Sequence, residues 1–338
     1  MERINGEGMQ WNKVYGIDAM AGVRGLPDGS VRTVVTSPPY YRQRDYGCVG
    51  QWGQERSPSE YVARLVELFR EVRRVLTGDG TVWLVLGDSY ASMGRGGQAG
   101  RQRYGQEYGA APGLHDGIKR KDLLGMPWAV AVALRHDGWY LRQDIIWFKT
   151  NPMPESVKDR CTRCHEYIFM FSKCERYYYN HLAIATALSK STQVRIRQDI
   201  AHQKGSNRAW GKKNGPMKAV VTRGKQDGHG RRHDGFNERR SAIVEMPMLA
   251  NRKSVWPIAT AMSKEDHFAS FPALIPELCI KAGSREGDAV LDPFAGTGTT
   301  LLQASILGRR YMGFDLNEKY VAIARRRLKE LEGIFYQG

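Results

Sequence analysis

The stretch from Val290 to Asp315 constrains the fold more than any other. Val290-Leu291 reads as the end of a buried strand, Gly296 and Gly298 as a tight turn, and Thr299 onward as a helix. Arg310 to Asp315 reads as the next strand. A strand, crossover helix and strand of this kind belong to an α/β protein with a mostly parallel sheet, expected here to have seven strands and helices on both faces. A glycine turn between strand and helix lets a ligand approach bare backbone, where the helix start offers unpaired N–H groups. Asp315 follows Asp292 by 23 residues and ends the second strand, a position suited to gripping ribose hydroxyls. The third glycine of the dinucleotide pattern would fall on Leu301, so a pyrophosphate cradle is incomplete. Asp292, Phe294 and Thr297 beside two glycines suit a smaller, zwitterionic nucleoside.

A second loop, Thr36-Ser37-Pro38-Pro39-Tyr40, also follows an apolar strand, Thr33-Val34-Val35. The exocyclic amino group of adenine or cytosine is a poor nucleophile because its lone pair is delocalised into the ring. A hydroxyl at Ser37 and the Pro38 carbonyl, accepting both N–H bonds, would draw that nitrogen toward tetrahedral geometry. Pro38-Pro39 fixes the backbone, and Tyr40 offers a face for an extruded base. The plain alternative is a Pro-Pro turn after a strand. The two loops are expected side by side at one sheet edge.

Between them the chain reads as alternating elements. Val14 to Asp18 is a strand ending in an acid, and Tyr41 to Glu55 is a mobile active-site loop. Ser57-Pro58-Ser59-Glu60 opens a helix with Tyr61, Leu65, Leu68, Phe69, Val72 and Leu76 at helical spacing. Gly78-Asp79-Gly80 is expected to stop it, before a buried strand over Thr81 to Gly87. Residues 92–121 lack periodicity and are expected to be a mobile loop. Pro127 to His136 is a helix, Tyr140 to Lys149 and Tyr167 to Phe171 are strands, and Tyr177 to Tyr179 is expected at the sheet edge. Phe271 to Ile280 and Glu318 to Leu331 are helices.

Charge points to a polyanionic partner: the formal net charge is +16. It is concentrated in residues 201–240, where eleven Lys or Arg face three Asp or Glu among seven glycines. That segment reads either as a disordered basic linker or as a DNA-contacting insert that orders on binding. Five scattered cysteines argue against a disulfide framework. Cys161, Cys164, His165 and Cys174 could in principle make a zinc site, but their placement favours free thiols and no metal. No apolar run reaches membrane-spanning length and the N-terminus lacks a signal-peptide core, so a soluble cytoplasmic protein associated with the nucleoid is expected.

Taken together, the two loops resemble those of the S-adenosylmethionine-dependent DNA amino-methyltransferases in the β arrangement, where the base-binding motif precedes the cofactor motif. Thr36 to Tyr40 matches the catalytic loop and Asp292 to Thr300 the cofactor loop. The likeness extends to Asp18, Trp139 to Lys149, Arg160 to Lys173 and His267 to Pro272. It implies a Rossmann-like methyltransferase domain with a small basic target-recognition insert, divided at residues 11–184, 185–255 and 256–332. It implies catalysis by Ser37, Pro38, Pro39 and Tyr40. Asp292, Pro293, Phe294, Ala295, Gly296, Thr297 and Gly298, with Phe268, Ser270 and Pro272, would hold the methionine moiety of S-adenosylmethionine. Asp315 would take the ribose, although the family often has a longer Glu there, and Asp18 the adenine. Lys149, Arg160, Lys212, Lys213, Arg223, Arg231 and Arg232 are candidate DNA contacts. Double-stranded DNA is the expected partner, with a homodimer and a cognate restriction nuclease alongside. Ser at position 37 is the family's usual mark for cytosine N4, yet adenine N6 stays open. The rival classes are a dinucleotide oxidoreductase, a methyltransferase of RNA or protein glutamine, and a DNA-binding module without turnover.

Overall fold

A computed structural model describes residues 9–91, 117–197, 249–260 and 271–335. The chain divides into two compact units, one of residues 1–180 with 253–338 and the other of 181–252. In the first unit, β1 (Lys13–Tyr15), β2 (Val31–Thr36), β3 (Leu76–Leu86), β4 (Tyr140–Phe148), β5 (His165–Ser172), β8 (Val255–Pro257), β9 (Ala289–Asp292) and β10 (Arg310–Phe314) make one sheet. Its order is β1-β10-β9-β2-β3-β5-β4-β8. The sheet is mostly parallel, as expected; only β5 runs antiparallel to its neighbours β3 and β4. The eighth strand, beyond the expected seven, is the short edge strand β8 beside β4. With three residues and one buried side chain it leaves no periodic signal to read.

Period-two alternation sorts the strand residues between two helical layers. Val34, Leu84, Phe171, Leu291 and Phe314 share a core with α1 (Ala19–Arg24), α2 (Pro58–Val75) and α3 (Met126–His136). Val35, Trp83, Val85 and Val290 are equally buried on the other face, which α5 (Leu274–Gly283), α6 (Thr299–Ile306) and α7 (Glu318–Phe335) cover. Helix α2 shows the causal chain most clearly. Ser57 caps its start by accepting from the Glu60 amide (3.2 Å), and Pro58 sits where an N–H is not needed. Tyr61, Leu65, Leu68, Phe69 and Val72 then fall on one buried stripe, each contributing roughly 1.5–3 kcal/mol of burial.

Two sequence expectations change here. Helix α2 ends at Val75, not at the glycines, because Leu76 is already extended (φ −69°, ψ 141°). Gly78-Asp79-Gly80 lies inside β3, where the register against β2 shifts between Val31 and Thr33. A Cβ at Gly80 would stand 2.9 Å from the Arg32 carbonyl, so the glycine permits the bulge rather than ending an element. Tyr177 to Tyr179 form no strand; their rings serve instead, Tyr179 stacking on Trp83 and Tyr178 lying under Arg285. In the second unit, β6 (Thr186–Ala187) pairs antiparallel with β7 (Leu249–Ala250), and α4 spans Lys190–Arg197. Residues 92–116 of the expected mobile loop, and the basic stretch 201–240, lie outside the described residues.

Candidate active site

The glycine turn and the Pro-Pro loop leave the carboxyl ends of adjacent parallel strands. Strands β9 and β2 pair directly, Thr33 with Val290 and Val34 with Leu291. From that junction the order runs outward through β10 to β1 on one side and through β3 on the other. Ligands in open α/β sheets bind at such a switch point, beyond the carboxyl ends of the strands. The junction is also bonded laterally: the Thr36 hydroxyl donates to Asp292 Oδ1 (2.6 Å) and the Thr300 hydroxyl to the Val35 carbonyl (3.4 Å). The two loops therefore adjoin within the sheet rather than at its lateral edge, and Ser37 and Gly296 open into one cavity of about 340 Å³, a size typical of small-molecule sites.

Each glycine of the turn has its own reason. Both are left-handed, at φ +51° for Gly296 and +82° for Gly298. Above Gly296 there is open space, whereas a Cβ on Gly298 would stand 2.9 Å from the Ala324 Cβ. Gly296 thus leaves its backbone open to the cavity, and Gly298 is the point of helix packing. Asp315 Oδ2 accepts from the Gly296 amide (2.9 Å) and Oδ1 from the Asn317 amide (2.8 Å). Burial raises its pKa against those two amides, and each oxygen keeps a lone pair for a ribose hydroxyl. Asp292 is buried behind the turn, and its pKa is pushed up to about 6 by burial, against the Thr36 and Thr300 hydroxyls and the Phe294 amide.

Around this backbone the cavity is walled by Trp52, Phe294, Tyr46 and Tyr320. Trp52 packs edge-on to Phe294 (5.4 Å) and donates its indole N–H to Asp18 Oδ2 (2.8 Å). Asp18 Oδ1 meanwhile caps α1 through the Met20 and Ala21 amides. The segment Tyr41 to Glu55 is accordingly tied down: Tyr41 and Trp52 are buried and the Asn317 side-chain Nδ2 donates to the Tyr46 carbonyl (3.5 Å). An aromatic-walled cavity with bare glycine backbone and a half-satisfied ribose-type carboxylate fits S-adenosylmethionine.

On the base side, the Tyr61 hydroxyl holds the Pro39 carbonyl (3.0 Å). Ser37 Oγ donates to Tyr40 Oη (3.3 Å), and Tyr40 donates to Glu166 Oε2 (2.7 Å). Burial, then the Glu166 charge, raise the Tyr40 pKa well above its usual value.

Of the residues expected from sequence, Ser37, Pro38, Pro39, Tyr40, Asp18, Pro293, Phe294, Ala295, Gly296, Thr297, Asp315 and Lys149 line this one cavity. Asp292 and Gly298 flank it without lining it, and Pro272 is buried next to the lining residue Phe271. Lys149, a candidate DNA contact, lines the cavity with its ammonium paired to Glu166. Arg160 lies elsewhere, against Glu155 and over the Tyr90 ring (3.9 Å). Phe268, Ser270, Lys212, Lys213, Arg223, Arg231 and Arg232 lie outside the described residues. Sequence reasoning missed Trp52, Trp147, Glu166 and Asn317; the readable signal for Glu166 was an acid on an otherwise apolar strand. Among the described residues no cluster of His, Cys, Asp or Glu could hold a metal, and Cys161, Cys164 and Cys174 are free thiols.

An α/β sheet whose switch point opens one cavity onto both a glycine turn and a Ser-Pro-Pro-Tyr loop is the architecture of a class: transferases that use a nucleoside cofactor. The known relatives agree. The model of the N6/N4 DNA methylase family matches residues 31–326, and the chain belongs to that family of S-adenosylmethionine-dependent DNA amino-methyltransferases. It is 40% identical over 313 residues to the type II methyltransferase M.Cfr9I of Citrobacter freundii, covering 92% of this chain and 86% of that one. It is equally 40% identical to M.SmaI of Serratia marcescens, covering 92% and 88%. The fold is that of the cytosine-N4-specific PvuII DNA methyltransferase, at TM-score 0.58 and 17% identity over 97% of this chain and 96% of that one.

Proposed function

We infer that the chain methylates the exocyclic amino group of a base flipped out of duplex DNA at a specific sequence, with Ser37 and the Pro38 carbonyl as the paired acceptors. The observation that carries this reading is the opening of Ser37 and Gly296 into one cavity, from adjacent strands bonded by Thr36 and Asp292. S-adenosylmethionine, when bound, supplies an electrophilic methyl group on a sulfonium. The chain does the rest by placement. Asp315 and the Gly296 backbone hold the donor end, and Trp52 and Phe294 keep water from it. Ser37 and Pro38 orient the amino nitrogen for in-line attack, while the Tyr40 ring, seated against Gly87, walls the base pocket. Adenine N6 and cytosine N4 present the same two N–H donors to these acceptors, so either base satisfies the geometry.

Among the described residues no helix is long and apolar enough to cross a membrane. The basic charge supports work at the nucleoid, and the likeness to type II methyltransferases supports a cognate restriction nuclease sharing its site. A homodimer is the proposed assembly, to be read by light scattering. The decisive test is transfer of label from methyl-labelled S-adenosylmethionine to mixed-sequence duplex DNA, followed by nucleoside analysis. Labelled N6-methyladenine or N4-methylcytosine is expected; no incorporation into any duplex would favour a binding module without turnover.

A further inference from the structure

Glu166 lies on β5 opposite Trp147 of β4, beside the base loop. Its carboxylate ends a hydrogen-bond chain whose direction is forced. Oε1 holds the Lys149 ammonium, and an ion-paired carboxylate can only accept. The Tyr40 hydroxyl must therefore donate to Oε2, as its 2.7 Å bond shows. Its one proton thus committed, Tyr40 Oη can only accept from Ser37. Ser37 Oγ then turns its proton away from the base and its lone pairs toward it. The opposite polarity would offer a proton to the very nitrogen whose lone pair has to attack. Gly87 makes the chain sterically possible, since a Cβ there would stand 2.5 Å from the Tyr40 ring and 3.3 Å from the Glu166 carboxyl carbon.

We propose that Glu166, anchored by Lys149, is the positioning residue that sets the polarity of Ser37 and Tyr40 and receives the proton released by methylation. The balance closes as follows. The amino lone pair forms the N–C bond while the C–S bond breaks and its electron pair stays on sulfur. The cationic methylated nitrogen gives a proton to Ser37 Oγ, Ser37 passes its own to Tyr40 Oη, and Tyr40 passes its own to Glu166 Oε2. A neutral methylamino group and a carboxylic acid beside Lys149 remain.

This inference rests on the base-loop reading above, and the test separates the two. Single-turnover methyl transfer to duplex DNA is measured for the wild type, Tyr40→Phe, Glu166→Gln and the double variant, with S-adenosylmethionine affinity followed by calorimetry. Each single variant loses about 10- to 100-fold in rate. The double variant loses no more than the slower single one, because both cut the same chain. Donor affinity stays within about twofold of wild type, as uniform binding is untouched. A wild-type rate for Glu166→Gln, losses that multiply in the double variant, or a loss located in donor affinity would overturn the proposal. If Glu166→Gln does not fold, Lys149→Gln takes its place in the cycle with the same coupling expected. A wild type inactive on every duplex would instead sink the proposed function.

Discussion

Asp292 offers the sharpest quantitative test, because its burial sets a stability cost that a single atom change removes. The residue is 1% exposed and its pKa is pushed from 3.8 up to about 6. A carboxyl that binds its proton more tightly when folded makes the folded state lose stability as pH rises. The contribution is fully present below pH 3.8, declines between 3.8 and about 6, and is gone above that. At roughly 1.4 kcal/mol per unit, the shift is worth about 3 kcal/mol, of which about 1.3 falls between pH 5 and 7. Asp292→Asn keeps an oxygen for the Thr36 hydroxyl and the Phe294 amide but carries no charge. Urea unfolding of both proteins, followed by tryptophan fluorescence from about pH 5 to 7.5, isolates this residue because all other titrations cancel in the difference. The variant's advantage is expected to grow by about 1.3 kcal/mol across that range. A difference that stays flat would show that Asp292 does not titrate there and refute the reasoning. The same variant is expected to bind S-adenosylmethionine more weakly, by about tenfold, because a buried anion favours a sulfonium nearby. Stability and affinity would then move in opposite directions, the trade expected of a charge kept for binding.

The two glycines of the turn should separate by alanine substitution. Gly298→Ala is expected to cost about 2 to 4 kcal/mol in thermal unfolding, from its left-handed φ and the contact with Ala324. Gly296→Ala should cost about 1 to 2 kcal/mol of stability yet abolish donor binding by calorimetry, since its methyl group enters the space above the turn. Asp315→Ala is expected to weaken donor binding by about 10- to 100-fold, from a charged group's hydrogen bonds, whereas Ser37→Ala spares it and stops turnover. DNA binding should fall by about 100-fold or more between 50 and 200 mM salt in a filter or anisotropy assay, as expected when several phosphates are neutralised.

The parts legible in the sequence were those fixed by neighbours in the chain. The glycine turn, the Pro-Pro constraint, the α2 stripe and the acid 23 residues beyond Asp292 each follow from local backbone chemistry. Their meeting in one cavity followed too, because parallel strands linked by crossover helices send their carboxyl ends to the same side. What could not be read were contacts set by strand register. Glu166 reaches Tyr40 only because β5 runs antiparallel between β3 and β4, bringing Glu166 opposite Trp147 and close to Gly87. A shift of one residue would turn Glu166 to the other face and put Tyr167 in its place. Lys149 shows the same limit: as a cation after a strand it suits a phosphate, and only the fold supplies the carboxylate that pairs with it at the cavity. Local chemistry thus names the two loops that meet in the cavity, while the non-local register decides which side chains stand beside them.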